Sequence, residues 1–341
     1  LWIKDLGWNI ECGMWYSPMI VCDLNGDGRA EVAAKIGPEE DYRDAEGKVQ
    51  SGPEWVGVFD GLTGKEIARA PWVPREGFES YNLASRNQLA AAYLDGKTPC
   101  LLVLRGTYGL MLAEAWQLKT GKLERLWSFT NEDLPHNCRG QGAHNCLCAD
   151  VDGDGRDEVI LGSLALDDDG SVLWTCGGFN PQGMEYWPAI SSPVICSNLA
   201  LVPAGRDDRA RQSRVHAIRI DGNGDVTGTH RVWKRDDVGV FVSSLAEYKG
   251  RIYLLRPKGE IVCLDPVTGR TIWNGSLPPG SARFFASPVI ANGVLYAARE
   301  DGVVFAARVE DKLELLSENP MGERIIGSPA VADGRLLLRG D

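Results

Sequence analysis

Short apolar runs recur along the whole chain, each closed by Gly, Asp, Asn, Ser or Pro. Examples are MIVC at Met19, VGVF at Val56, CLLVL at Cys100, EVILG at Glu158, IVCL at Ile261 and VVFAA at Val303. Runs of roughly four to eight residues rich in Val, Ile and Leu, bounded by turn residues, read as β-strands. No long stretch carries the 3.6-residue helical period. Many short strands with frequent turns predict an all-β chain.

The strands repeat as units. A Ser-Pro or Ser-Ser pair followed by an apolar run occurs at Ser17, Ser191, Ser243, Ser287 and Ser328. In the second half the spacing is roughly 40 to 50 residues, which suits a four-stranded propeller blade. Inside the units an apolar strand leads through a T-G turn to a strand carrying Trp, near Asp60, Lys119 and Asp265. Gly after Thr63, Thr120 and Thr268 supplies the positive φ a hairpin needs. Unit starts fall near Ser17, Ser85, His144, Ser191, Ser243, Ser287 and Ser328, and SPAVADGRLLLRGD holds only two strands. The expectation is a single β-propeller over residues 1–341 with seven blades, eight being the alternative. The orphan N-terminal strand LWIKDLG would close the ring and protect the edge strands of the last blade. The one irregular stretch starts at Gly177.

Two nine-residue loops share an acidic design. In DVDGDGRDE the oxygen donors are Asp150, Asp152, Asp154, the Arg156 carbonyl and Glu158; in DLNGDGRAE they are Asp23, Asn25, Asp27, the Arg29 carbonyl and Glu31. Oxygen-only donors in a tight Gly-containing turn suit a hard cation, so both loops are expected to bind Ca2+, two sites in all. An EF-hand is excluded, because its twelfth position would be Ala34 or Leu161 and the flanks read as strands. The alternative is a pair of acidic surface turns without metal. DGNGD at Asp221 lacks the ninth-position Glu (Thr229 stands there) and reads as a turn.

Composition narrows the partners. A formal charge of −11 argues against a nucleic-acid surface. No apolar run is long enough for a membrane span. The sequence begins without Met, which reads as a processed or truncated start and leaves export open. Nine cysteines cannot all pair internally. Cys22, Cys100, Cys196 and Cys263 sit in apolar runs and read as small buried hydrophobes. Cys146 and Cys148 alternate onto one strand face, where core packing is favoured over metal binding.

WYSPMIVCDLNGDGRAEVAAK, SGPEWVGVFDGLTGKE, RNQLAAAYLDGKTPCLLVLRGTY, GQGAHNCLCADVDGDGRDEVILGS and LALDDDGSVLW, over residues 14 to about 174, resemble the propeller of bacterial rhamnogalacturonan lyases of the family 11 type. SSPVICSNLALVPAGR, GRIYLLRPKGEIVCLDPVTGRTIW and SPVIANGVLYAAREDGVVF, from about residue 187 to 341, resemble PQQ-like repeat propellers. The resemblance divides the ring into lyase-like blades over 1–177 and PQQ-like blades over 187–341. It implies a secreted or periplasmic address and an acidic polysaccharide or glycan as partner. After Trp174 the lyase pattern stops, so residues that family draws from later blades have no counterpart here. Quinone-dependent relatives of the second half carry a vicinal cysteine pair; no adjacent pair occurs here, so no PQQ is expected.

Lyase chemistry on a uronate requires a cation for the carboxylate, a base for the α-proton and a proton for the leaving oxygen. His144, Arg86, Arg105 and Tyr108 are the candidate catalytic residues, with Asn87 and Asn145 as substrate-binding candidates. Each has a plain structural counterpart: a hydrogen-bonding His at a blade entry, arginines paired around the ring, a packing Tyr. Two readings follow. One is a calcium-dependent lyase cutting an acidic pectin-type polysaccharide by β-elimination. The other is a non-catalytic propeller that binds glycan or protein, its calcium purely structural.

Overall fold

The computed structural model describes residues 2–4, 6, 16–37, 42–134, 142–180, 189–205 and 213–340. The chain forms two compact units, 1–178 with 182–186, and 179–181 with 187–341. Among the described residues, the regular elements are strands apart from one short helix, α1 (Tyr81–Ala84).

The first unit holds three antiparallel meanders. The first is β1 (Met19–Cys22), β2 (Glu31–Ile36), β3 (Trp55–Asp60) and β4 (Glu66–Pro71). The second is β5 (Asn87–Ala92), β6 (Cys100–Arg105), β7 (Leu112–Lys119) and β8 (Lys122–Thr130). The third is β9 (Gly142–Ala149), β10 (Glu158–Gly162), β11 (Leu164–Leu166) and β12 (Val172–Thr175). Strand β6 shows why the apolar runs are continuous rather than alternating. Leu101 and Val103 enter a cluster with Val56, Val58 and Trp72 of the first meander. Cys100, Leu102 and Leu104 enter another with Val159, Leu161 and Leu164 of the third. Both faces of the strand are covered, so both sets of alternate positions are apolar.

In the second unit β13 (Val194–Cys196), β14 (Leu199–Gly205) and β15 (Ser213–Arg219) are followed by the two-residue β16 (Gly224–Asp225). Strand β17 (Arg231–Arg235) then completes a four-stranded sheet on β15. Two more meanders follow: β18 (Ala246–Tyr248), β19 (Arg251–Leu255), β20 (Glu260–Leu264), β21 (Thr271–Ser276), then β22 (Val289–Ala291), β23 (Val294–Ala298), β24 (Val303–Arg308), β25 (Glu314–Pro320). The hairpin β26 (Ala330–Ala332) and β27 (Arg335–Leu337) comes last. Each sheet begins within a few residues of a unit start read from the sequence.

The recurring Ser residues are connectors between sheets. Ser192 N donates to Ser244 Oγ (3.1 Å), Ser244 N to Ser287 Oγ (2.8 Å) and Ser287 N to Ser328 Oγ (2.9 Å). In the D-x-x-T-G turns, Asp60 Oδ1 accepts from Thr63 N and Oγ1, and Asp265 Oδ1 from Thr268 N and Oγ1. Gly64, Gly121 and Gly269 take φ of +69°, +76° and +68°, as the hairpin reading requires. The seven described cysteines are free thiols; Cys100, Cys196 and Cys263 are buried and Cys22 is half-buried. Cys146 and Cys148 pack against the apolar cluster between the second and third meanders. No helix among the described residues is long and apolar enough to cross a membrane.

Candidate functional site

Strand direction places the candidate residues of the first unit at two opposite ends. The acidic loops connect β1 to β2 and β9 to β10, so both lie at one end of the meanders. His144 stands near the start of β9, Arg105 at the end of β6 with Tyr108 just beyond it, and Arg86 just before β5. These define the other end. His144 and Asp150 are six residues apart along an extended strand, a separation of about 20 Å at a rise near 3.3 Å per residue. A cation in the second acidic loop is therefore too far away to coordinate the carboxylate of a sugar unit held at His144.

The acidic loops are built alike. Asp23 accepts from Gly26 N (2.8 Å) and Gly28 N (2.8 Å); Asp150 accepts from Gly153 N (2.7 Å) and Gly155 N (3.1 Å). Asn25 and Asp152 accept from Asp27 N and Asp154 N, and those two aspartates accept from Arg29 N and Arg156 N. The ninth-position Glu folds back under the turn, where Leu24 N donates to Glu31 and Val151 N to Glu158. In the second loop, carboxylate oxygens of Asp150, Asp152 and Glu158 lie within 4.8 Å of one another. Glu158 is wholly buried, and its Oε1 has no hydrogen-bond partner among the described residues. Burial pushes its carboxyl up to about 7, and burial likewise raises that of Glu31. A buried carboxylate oxygen without a donor, beside two further carboxylates, is a donor set that fits a hard cation. Arg156 also pairs its guanidinium with Asp168 at 2.6 Å, which gives the acidic run 167–169 a partner.

At the opposite end the structure brings three of the four catalytic candidates together. His144 Nε2 lies 2.6 Å from Tyr108 Oη, and the rings meet edge to face. The Arg86 guanidinium covers the Tyr108 ring at 5.9 Å and the Tyr16 ring at 5.7 Å, and donates to Asn82 Oδ1 at 2.6 Å. Burial, aided by the Arg86 charge, lowers His144 to about 3, so its imidazole is neutral near pH 7. Burial raises Tyr108, partly opposed by Arg86.

Arg105 belongs to a different group. It is wholly buried, donating from Nε to Val73 O (2.8 Å), from Nη1 to Ala84 O and from Nη2 to Glu54 (2.5 Å). Glu54 also pairs with Lys35 at 2.6 Å and Arg75 at 2.8 Å. Burial would raise the Glu54 carboxyl, but Lys35, Arg105 and Arg75 together hold it down at about 2. Asn87 accepts from Trp72 Nε1 and donates to Tyr16 O, so it serves as a joint between β5 and its neighbours. Asn145 is exposed and, next to His144 on an extended strand, points to the opposite face. Glu54, Lys35 and Arg75 escaped the sequence reading. The available signal was a lone Lys inside the apolar strand EVAAKI, since a buried Lys needs a partner.

Four-stranded antiparallel meanders repeated along the chain make this a repeat protein of the propeller-like class. The chain belongs to rhamnogalacturonan lyase family 11: residues 1–186 match the family described as "Rhamnogalacturonan lyase family 11, C-terminal domain". Residues 162–316 and 257–341 match the family described as "Outer membrane protein assembly factor BamB". Rhamnogalacturonan endolyase YesW of Bacillus subtilis is 41% identical over 197 residues, covering 52% of this chain and 32% of that protein. The chain thus spans about a third of this curated relative. The crystal structure of exotype rhamnogalacturonan lyase YesX superposes with a TM-score of 0.69 at 25% identity, over 95% of this chain and 58% of the other. BamB from Moraxella catarrhalis superposes with a TM-score of 0.56 at 13% identity, over 95% and 96% of the two chains, a likeness of fold alone.

Proposed function

We propose that the protein is a calcium-binding polysaccharide lyase that acts on rhamnogalacturonan or a related acidic glycan by β-elimination. The observation that carries this reading is the Tyr108–His144 hydrogen bond beneath the Arg86 guanidinium, in the half that matches the lyase family. Neutral His144 holds the Tyr108 hydroxyl by a hydrogen bond, and the pair takes up the proton α to the uronate carboxylate. The bond to the leaving oxygen breaks, that oxygen receives the proton, and an unsaturated uronate remains. Arg86 supplies the charge that offsets the carboxylate.

Calcium belongs to the proposal as a structural element. Asp23, Asn25, Asp27, Glu31 and the Arg29 carbonyl would hold one ion, and Asp150, Asp152, Asp154, Glu158 and the Arg156 carbonyl a second. Each ion would neutralise a loop of like charges and clamp two strands. The distance between the acidic loops and His144 supports this structural role over a catalytic one. A seven-bladed ring closed by the N-terminal strand, and an exported location, complete the proposal; they rest on the repeat count and on the relatives.

A second reading is favoured by the burial of the dyad, since His144 is only 4% exposed. In it the protein is a non-catalytic scaffold that binds glycan or protein, with the same structural calcium. Incubating the purified protein with rhamnogalacturonan, with and without calcium, separates the two. Absorbance from unsaturated uronate supports the lyase. Glycan retention without product supports the scaffold.

A further inference from the structure

A buried amide stands beside the Tyr108–His144 pair. On β5, Ala90 and Ala92 face the apolar cluster shared with the third meander. Alternate residues of a strand share a face, so Gln88 points into the same space between the two sheets. Its side chain is 4% exposed, and Nε2 donates to Ala143 O, the carbonyl just before His144, at 3.0 Å. The start of β9 is also tied to the residue before Tyr108, since Gly142 N donates to Thr107 O at 3.1 Å. Gln88 therefore sits where the segments carrying Tyr108 and His144 are joined.

The other end of the amide is the anomaly. Gln88 Oε1 is buried and has no hydrogen-bond partner among the described residues. Leaving such an acceptor without a donor costs about 1–3 kcal/mol. A hydroxyl such as that of Thr107 both donates and accepts, whereas a carboxamide oxygen only accepts. Reversing the amide would set this oxygen against Ala143 O, so the bond from Nε2 fixes which way Gln88 faces.

His144 offers the matching donor. Its Nε2 lies 2.6 Å from Tyr108 Oη. A neutral imidazole carries one proton, so Nε2 accepts the phenolic hydrogen only in the tautomer that holds the proton on Nδ1. Nδ1 is the ring nitrogen nearer the main chain, and the Gln88 amide is anchored on the main chain one residue earlier. We infer that Gln88 is a positioning residue for the pair: its Oε1 accepts the Nδ1 proton of His144, directly or across one water, and so holds the tautomer whose Nε2 faces the phenol. A third group that orients a base is a general device of proton-transfer sites. A neutral amide suits it here, because a carboxylate would draw His144 toward its charged form. The inference rests on the reading that this pair takes up the α-proton, and adds what keeps the pair in the receiving tautomer.

The test is imidazole-nitrogen NMR of the whole protein labelled at histidine, at pH 7, with the His144 signals identified by their loss in His144→Gln. The native protein is expected to carry the His144 proton on Nδ1. Gln88→Met keeps the length of the side chain and removes both amide groups. It should lower the ratio of the Nδ1–H to the Nε2–H form at least about fivefold. Thr107→Val, which leaves Gln88 in place, should keep the native tautomer. A role confined to holding β9 would lower the melting temperature of Gln88→Met and leave its tautomer as in the native protein. A native proton on Nε2, an unchanged ratio in Gln88→Met, or loss of the native tautomer in Thr107→Val would overturn the inference. The lyase proposal is read separately through product formation. The expected tautomers without turnover sink the lyase and leave the positioning role, and turnover with an unchanged ratio in Gln88→Met does the reverse.

Discussion

The indole Nε1 of Trp127, on β8, donates to the main-chain oxygen of Asp168 in the turn of the next meander, at 2.8 Å. Its ring lies against Gly170, where a Cβ would stand 2.6 Å from the indole. The same lock recurs at Trp233, which donates to Pro266 O and packs on Gly269, and at Trp2, which donates to Gly61 O and packs on Gly64. Each of these Trp residues thus needs a side-chain-free residue in the turn it packs on. Gly170→Ala should cost about 2–4 kcal/mol, part from positive φ and part from the displaced indole. Gly121→Ala, at nearly the same φ but in open space, should cost only about 1–2 kcal/mol. Denaturant midpoints of the two variants check this; equal losses would mean the indole contact contributes nothing.

Glu54 holds Lys35 and Arg105, both almost wholly buried. Removing its charge leaves those cations without that carboxylate, so Glu54→Gln should lower stability by about 3–5 kcal/mol. Urea unfolding measures it, and a loss below about 1 kcal/mol would show that the cluster is held by other contacts.

His144 gives a pH dependence of defined sign. In the unfolded chain an imidazole takes its proton near pH 6.5, whereas in the folded protein it does so near 3. Between those values the unfolded state binds more protons, so stability falls as pH drops from about 6.5 toward 3, by roughly 4 kcal/mol in all. Glu54 adds to the loss at the acid end, because its folded value of about 2 makes its stabilisation fade as pH falls below the ordinary carboxylate range. His144→Gln should remove this contribution between pH 6.5 and 4.5; Glu158, pushed up to about 7, acts in the opposite sense over the same window in both proteins, so the quantity read is the difference between the two profiles. An unchanged profile over that window would contradict the assignment.

Calcium at the two acidic loops should raise the melting temperature, and chelator should lower it. At a hundredfold excess over Kd each site adds about 2.7 kcal/mol. Asp150→Ala should remove about half of the response, and Asp23→Ala the other half. Identical melting curves with and without chelator would leave the loops as ordinary acidic turns.

The strands and unit starts were legible because both faces of strands such as β6 are covered, which writes an uninterrupted apolar run into the sequence. The acidic loops were legible because their donors are local: nine consecutive residues supply the whole set. Glu54 was not legible, since Lys35, Arg75 and Arg105 reach it from separate segments and no spacing records their meeting. Arg105 looked like a site candidate from RGTY, yet all three of its nitrogens serve the protein itself. His144 and Tyr108 lie 36 positions apart and meet only because β6 ends where β9 begins. The connecting role of the recurrent Ser was equally hidden, because an Oγ-to-backbone bond between neighbouring sheets leaves no local pattern beyond the Ser itself.

The most direct measurement is the rate of unsaturated-uronate formation from rhamnogalacturonan by the native protein and by Tyr108→Phe, both with calcium and at matched folded fraction. The account predicts product from the native protein and at least about a hundredfold less from the variant, whose ring still packs on His144 but has no oxygen to take the α-proton. Product formed equally fast by Tyr108→Phe, or none from the native protein, would contradict it.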